Sequence, residues 1–142
     1  MALNKNEIAQ LLELYKAAVF EKDAVKFLSL YDTSSRVFDT WGVWVFEDLE
    51  SRRPVIENWF GSLGDERVTV NFDDVQITGT EEIAVLTAVG TYAAISLDNK
   101  ELRSMQNRFT WALKRYAAQW KIVHEHTSVP IANDLTAKLQ RD

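Results

Sequence analysis

The segment formed by residues 120–130 carries both histidines of the chain, His124 and His126, in a strand-like pattern. Side chains on a strand alternate between its faces, so the histidines share one face while Glu125 and Thr127 share the other. A purely structural strand rarely carries titratable groups on both faces. This strand is therefore the first candidate for a site that binds or reacts.

Two imidazoles in a His-x-His pattern could belong to a metal site, but such a site needs a third ligand. The chain has no third histidine, and no carboxylate stands at a spacing that demands the role, so we expect no metal. The histidines could instead move protons, because imidazole titrates near neutral pH. We favour a structural role for the two histidines, through hydrogen bonds to the backbone or packing at a dimer interface.

Composition narrows the class of protein. The 142 residues are 46% apolar, which predicts one compact domain over residues 1–142. A net charge of −5 with scattered basic residues predicts no nucleic-acid partner. The absence of cysteine fits a cytoplasmic location. No apolar run reaches the roughly 18 residues of a membrane span, and no glycine-rich phosphate loop occurs, so we expect neither a membrane nor a cofactor.

The first half of the chain predicts helices. Asn4 resembles an N-cap, and an apolar stripe at helical spacing follows it. Asp23 predicts the start of a short second helix, and Pro54 predicts the first turn of a third, which Gly64 can end. Between the second and third helices, residues 36–47 are rich in strand-forming residues, with Gly42 as the turn.

The second half predicts strands over residues 68–77, 83–95, 102–115 and 120–129, with a terminal helix over residues 133–140. The apolar alternation slips at Asp73 and Asp74, which predicts a β-bulge. Helices followed by long strands with short turns predict an α+β domain with an antiparallel sheet. A bulged sheet should curve, leaving a pocket between its concave face and the helices.

At this point the chain resembles the SnoaL-like proteins of the nuclear-transport-factor-2-like superfold. The resemblance rests on Tyr15-Lys-Ala-Ala followed by Asp23, on Val37-Phe38-Asp39, on Arg108-x-Thr110, and most specifically on Trp120-Lys-Ile-Val-His-Glu-His-x-Ser128. It covers nearly the whole chain. It implies a cone-shaped, cystatin-like roll, in which N-terminal helices pack in the concave face of a curved antiparallel sheet, and a homodimer.

The resemblance also implies catalytic roles. Tyr15 matches the tyrosine that donates to a developing enolate in ketosteroid isomerases, and Asp39 matches their general base. Thr110 replaces a protonated aspartate with a weaker donor, which counts against steroid isomerase activity. The residues themselves leave other interpretations open: Tyr15 also lies on an apolar helix stripe, and Asp39 could cap a turn or pair with an arginine.

Arg108 stands mid-strand among apolar residues, where an unpaired guanidinium would be costly. It could bind the carboxylate of a ligand, or it could form an internal ion pair with Asp39 or Glu125. The orientation of the last strand is also open. Trp120 and Ile122 predict that the histidines face inward. Alignment without gaps on isomerase-like relatives instead places Val123, Glu125 and Thr127 in the pocket, and a bulge would reverse that assignment.

Two functions follow as hypotheses. The first is a pocket for a small apolar or carboxylate-bearing ligand, with an isomerase, cyclase or dehydratase that uses acid–base chemistry on a carbon acid as its enzymatic form. Its apolar walls would be Trp41, Trp59 and Tyr92. The second is a non-catalytic association or ligand-binding domain, similar to the association domain of calcium/calmodulin-dependent kinase II. In that case the outer face of the sheet, or a face carrying Phe109 and Trp111, would form the dimer.

Overall fold

The computed structural model of the protein describes residues 2–142. Helices and strands follow one another as α1 (Lys5–Glu21), α2 (Ala24–Leu28), β1 (Tyr31–Phe38), α3 (Leu49–Ser62), β2 (Arg67–Gly79), β3 (Ile83–Ile95), β4 (Glu101–Tyr116) and β5 (Gln119–Ser128). The five strands form one curved, unclosed sheet in the order β1-β5-β4-β3-β2. The predicted α+β class and the curved sheet with its helices are confirmed.

One strand pair differs from the predicted antiparallel sheet. Strands β2 to β5 pair antiparallel through short turns, as expected, but β1 runs parallel to β5. A loop and helix α3 separate β1 from β2, so no hairpin fixes the direction of β1. The sheet is therefore mixed.

Side-chain caps set where the helices begin. The Asn4 side chain accepts a hydrogen bond from the Asn6 backbone N–H at 3.0 Å before α1, and Asp23 caps α2. Helix α3 begins at Leu49, earlier than Pro54 predicted, because Asp48 and Ser51 cap its first turn reciprocally.

Hydrogen bonding along the sheet explains two further elements. The predicted bulge is confirmed, since the β2–β3 pairing skips between Asp73 and Gln76 and Asp74 adopts a φ of +52°. The predicted helix over residues 133–140 is wrong. Residues 133–135 form a turn, and Ala137 makes an isolated β-bridge to Ile131. The Leu139 carbonyl then accepts from the Gln106 N–H at 2.7 Å, along the edge of β4 beyond the end of β5.

The core lies between α1 and the inner face of the sheet. The apolar stripe of α1 is buried as its helical spacing predicts. On β4, Phe109, Trp111 and Leu113 are no more than 1% exposed, so they belong to the core and not to a dimer interface. None of the helices within residues 2–142 is long and apolar enough to cross a lipid bilayer.

Candidate functional site

A cavity of about 570 Å³ opens between helices α1 and α3 and the inner face of the sheet. This is the size range of pockets that hold small organic molecules. Its polar lining includes Tyr15, Asp39, Arg52, Tyr92, Glu125 and Thr127. Its apolar lining includes Trp41, Val55, Trp59 and Met105.

A bulge in β5 decides which side chains of the last strand enter the cavity. Leu113 pairs with Ile122, but Ala112 pairs with His124, so the register skips Val123. Trp120 and Ile122 therefore face the core before the bulge, and Glu125 and Thr127 face the cavity after it. Each sequence argument about this strand is therefore right for one stretch and wrong for the other, because an extra residue separates the two stretches. Trp120 and Ile122 are buried, but His124 and His126 do not share their face, and Glu125 and Thr127 line the cavity, but Val123 does not.

Glu125 is held by three donors in the interior, where it is 1% exposed. Its Oε1 accepts hydrogen bonds from the Tyr31 hydroxyl and from Trp111 Nε1, the latter at 3.0 Å. Its Oε2 accepts from Arg52 Nη2 at 2.8 Å. Hydrogen bonds from three donors hold this carboxylate in one position, so Glu125 serves as a structural anchor.

Arg52 is a site residue that the sequence did not predict. It is 4% exposed, and its guanidinium lies 5.0 Å from the Tyr31 ring centroid and 5.5 Å from that of Phe27. Burial alone would lower its pKa, but the carboxylate of Glu125 outweighs burial, so the pKa lies above its usual value. A signal was present: Arg52 shares a helical face with Leu49, Ile56 and Phe60 of α3, all buried.

Asp39 lies half-buried at the end of β1, next to Thr127 of β5. Thr127 Oγ1 donates to Asp39 Oδ1 at 3.0 Å, while the Thr40 backbone N–H contacts the same Oγ1 at 2.9 Å. Burial raises the pKa of Asp39, although Arg52 and the Thr127 hydrogen bond act in the opposite direction. A raised pKa makes this carboxylate a stronger base than an exposed aspartate.

Two phenols form the other polar element. The hydroxyls of Tyr15 and Tyr92 lie 2.8 Å apart, so one donates to the other. Tyr15 is 3% exposed, whereas Tyr92 is only half-buried. Burial raises the pKa of both phenols, and the nearby negative charge of Glu125 raises it further. Both therefore stay protonated at neutral pH, and Tyr92 is the better placed to donate to a molecule in the cavity.

The cavity brings together seven of the residues singled out from the sequence: Tyr15, Asp39, Trp41, Trp59, Tyr92, Glu125 and Thr127. Arg108 and Thr110 do not line it. Because Phe109 and Trp111 point inward, alternation turns their neighbours to the outer face. Arg108 is exposed there and donates from Nε to Ser128 Oγ at 3.1 Å, so it forms no ion pair with Asp39 or Glu125.

His124 and His126 also lie on the outer face. Nδ1 of His124 lies 2.6 Å from the Arg36 carbonyl oxygen, and the Phe38 ring packs edge-on against both imidazoles. Neither histidine lines the cavity. Within residues 2–142, no three His, Asp or Glu side chains group closely enough to hold a metal ion. The expected lack of a metal and of a cofactor stays a prediction.

A match to a known family over most of the chain shows where this protein belongs. The profile of the SnoaL-like domain matches residues 8–132. The chain belongs to the SnoaL-like domain family. No match was found among curated proteins.

Solved structures share the fold of this SnoaL-like protein. A nuclear-transport-factor-2-like protein of unknown function from Pseudomonas putida is 20% identical, with a TM-score of 0.83 over 96% of this chain and 94% of that chain. A Xanthomonas campestris protein, provisionally described as a calcium/calmodulin-dependent protein kinase II association domain, is 21% identical with a TM-score of 0.70, covering 90% and 91%.

A third similar structure comes from Novosphingobium aromaticivorans and is provisionally described as an aromatic ring hydroxylase. It is 16% identical, with a TM-score of 0.66 over 86% of this SnoaL-like chain and 85% of that chain. At such identities the likeness concerns the fold alone, and function has to be argued from the site.

Proposed function

We propose that this SnoaL-like protein binds a small organic molecule in its cavity and catalyses proton transfer at a carbon next to a carbonyl group. The observation that carries this proposal is the meeting of a base and a donor in one cavity. Asp39, with its raised pKa, and the Tyr15–Tyr92 hydroxyl pair both line it. The proposed reaction needs no cofactor.

In the proposed step, the Asp39 carboxylate takes a proton from the carbon. The electron pair of the broken C–H bond forms a C=C bond to the carbonyl carbon, and the π electron pair of the C=O bond moves onto the oxygen. The resulting enolate oxygen accepts a hydrogen bond from the Tyr92 hydroxyl. When Asp39 returns the proton to the same or another carbon, the carbonyl reforms. Thr127 positions Asp39 throughout, because its hydroxyl holds Oδ1 at 3.0 Å.

The rate enhancements expected from these groups are sufficient for slow to moderate catalysis. A positioned general base typically contributes about 10²–10⁴-fold, and one donor to a developing oxyanion contributes about 10²–10³-fold. Donation from Tyr15 to Tyr92 polarises the second hydroxyl and strengthens its hydrogen bond to the oxygen. Tyr15 thereby acts through Tyr92, which differs from the direct donation that the family resemblance implied.

The test uses 2-tetralone, an uncharged two-ring ketone with acidic protons next to its carbonyl. Proton NMR in D₂O follows the loss of the C1 proton signal with wild-type protein and with Asp39→Asn. We expect the wild type to accelerate exchange above the buffer rate and the variant to lose about 10²-fold or more of that acceleration. Asp65→Asn, at an exposed position outside the cavity, should match the wild type. Equal rates for Asp39→Asn and wild type would refute the base role.

A second candidate function is self-association through the outer face of the sheet. Paired side chains form three rows across it: Val85–Ala112–His124, Thr87–Thr110–His126 and Val89–Arg108–Ser128. These rows mix small apolar, hydroxyl and titratable groups, and Val85 is 39% exposed. We propose a homodimer through this face, in a cytoplasmic protein. Light scattering at micromolar concentration should give twice the chain mass, and a monomer would contradict the homodimer.

A further inference from the structure

The charged groups at the buried end of the cavity do not cancel. Glu125 and Arg52 pair with each other at 2.8 Å and cancel. Asp39 is the remaining carboxyl of the lining, and Arg103 is the remaining basic side chain. Arg103 lies in the rim, where its side chain is 62% exposed and its Nη2 lies 2.7 Å from Glu66. The buried end of the cavity therefore offers no cation to an anionic group.

Arg52 is not available to a ligand carboxylate either. Its Nε and Nη1 atoms have no hydrogen-bond partner, yet both are buried away from solvent. The guanidinium packs against the rings of Phe27 and Tyr31, and its Nη2 is occupied by Glu125. A carboxylate entering the cavity would lose its water shell without gaining a charged partner, which is costly.

The raised pKa values of the two phenols also indicate a negative local charge in the cavity. Burial raises the pKa of Tyr15 and Tyr92, and the negative charge of Glu125 raises both further, although Arg52 acts in the opposite direction on Tyr92. The polar groups that remain for a ligand are thus an uncharged donor at Tyr92 and an acceptor at Asp39. They suit an uncharged oxygen function, such as a ketone or a hydroxyl.

The apolar walls of the cavity indicate the shape of the ligand that it can bind. The indole rings of Trp41 and Trp59 line the cavity together with Val55 and Met105. Flat aromatic walls favour flat ring systems, which stack on them and bury much apolar surface. A volume of about 570 Å³ accommodates a molecule of two or three rings.

We infer that the cavity selects uncharged, ring-bearing molecules whose ketone or hydroxyl oxygen enters first, and that it rejects a carboxylate at that end. This inference rests on the proposed function only in requiring that the cavity holds a ligand. It decides between the two ligand types expected from the sequence in favour of the uncharged one.

Two probes of the same shape test the inference. Isothermal titration calorimetry at pH 7 compares 2-naphthol, which is uncharged at this pH, with 2-naphthoate, which is anionic. We expect the dissociation constant of 2-naphthol to be at least tenfold lower. Equal affinity, or tighter binding of 2-naphthoate, would overturn the inference while leaving a ligand-binding cavity in place. Absence of binding by both probes would overturn the inference and the proposed function together.

A matched pair of variants establishes that the probe occupies the cavity. Val55 on α3 lines the cavity and is 44% exposed, whereas Val25 on α2 is 75% exposed and lies outside it. Val55→Trp should weaken 2-naphthol binding at least fivefold by narrowing the mouth, and Val25→Trp should leave it unchanged. Equal effects of the two substitutions, or no effect of Val55→Trp, would overturn the assignment of the ligand to this cavity.

Discussion

The Arg52 guanidinium and the Glu125 carboxylate meet 2.8 Å apart, with side chains that are only 5% and 1% exposed. This contact joins helix α3 to strand β5 across the base of the cavity. It holds the helix that carries Val55 and Trp59 over the strand that carries Thr127. The ion pair therefore shapes the cavity and also removes one cation from its chemistry.

Breaking this pair should destabilise the fold. Glu125→Gln leaves the Arg52 charge buried without its partner, which typically costs about 3–5 kcal/mol of unfolding free energy. Adding Arg52→Met removes the stranded charge, so the double variant should be more stable than the sum of the single effects predicts. Urea denaturation monitored by tryptophan fluorescence measures each variant.

The exposed bridge between Arg103 and Glu66, 2.7 Å long, is the control for that experiment. Arg103→Gln should change the urea midpoint far less than Glu125→Gln, because water screens an exposed pair. Similar losses for both substitutions would contradict the anchoring role of the buried pair.

The two phenols should stabilise each other. Tyr92→Phe leaves the hydroxyl of Tyr15 buried without a partner, which costs about 1–3 kcal/mol. Tyr15→Phe combined with Tyr92→Phe removes both hydroxyls, so the double variant should recover much of that loss. A double-mutant cycle by urea denaturation measures the coupling, and strictly additive losses would show that the hydroxyls do not interact.

Ionisation of the Asp39 carboxyl should lower the stability of the folded protein at neutral pH. Burial raises its pKa in the folded protein above that in the unfolded chain, so the folded state binds this proton more tightly. Stability is therefore lost as the pH rises from about 4 through the folded pKa. Asp39→Asn, which cannot ionise, should have a higher Tm than the wild type at pH 7.5. The gain should vanish below about pH 4, and a gain of equal size at both pH values would refute the linkage.

The segment after β5 should control access to the cavity. Leu139 lines the cavity, while its carbonyl accepts from the Gln106 N–H and the Gln140 side chain donates to the Ser104 carbonyl at 2.9 Å. Deleting residues 137–142 removes this wall. Stopped-flow measurement should show faster dissociation of 2-naphthol, with little change in Tm because most of these contacts are exposed. An unchanged dissociation rate would mean that ligands do not pass this segment.

Local patterns predicted much of the framework. The apolar stripe of α1 follows from its spacing, and the range Ile83–Ile95 of β3 follows from its run between turn residues. The bulge at Asp73 and Asp74 follows from a change in alternation. These features depend on neighbours in the chain, which is why the sequence indicates them directly.

The missed features depend on distant partners. Arg52 reads as an exposed helix residue because arginine is rarely buried unless it is paired, and its partner Glu125 lies 73 positions away. The position of Arg52 on the buried face of α3 is a weak local signal, whereas the parallel β1–β5 pairing and the edge contact made by residue 139 have none. Arg108 and Thr110 were assigned to the cavity from their motif, although alternation with Phe109 and Trp111 turns them outward.

The pH profile of 2-tetralone proton exchange is the measurement that tests the catalytic proposal most directly. If Asp39 is the base, the protein-catalysed rate rises with pH through a midpoint above the ordinary aspartate value of about 3.9, because only the carboxylate accepts the proton. Asp39→Asn then abolishes that rise. An identical profile in wild type and Asp39→Asn, or no rate above buffer at any pH, would contradict the proposal.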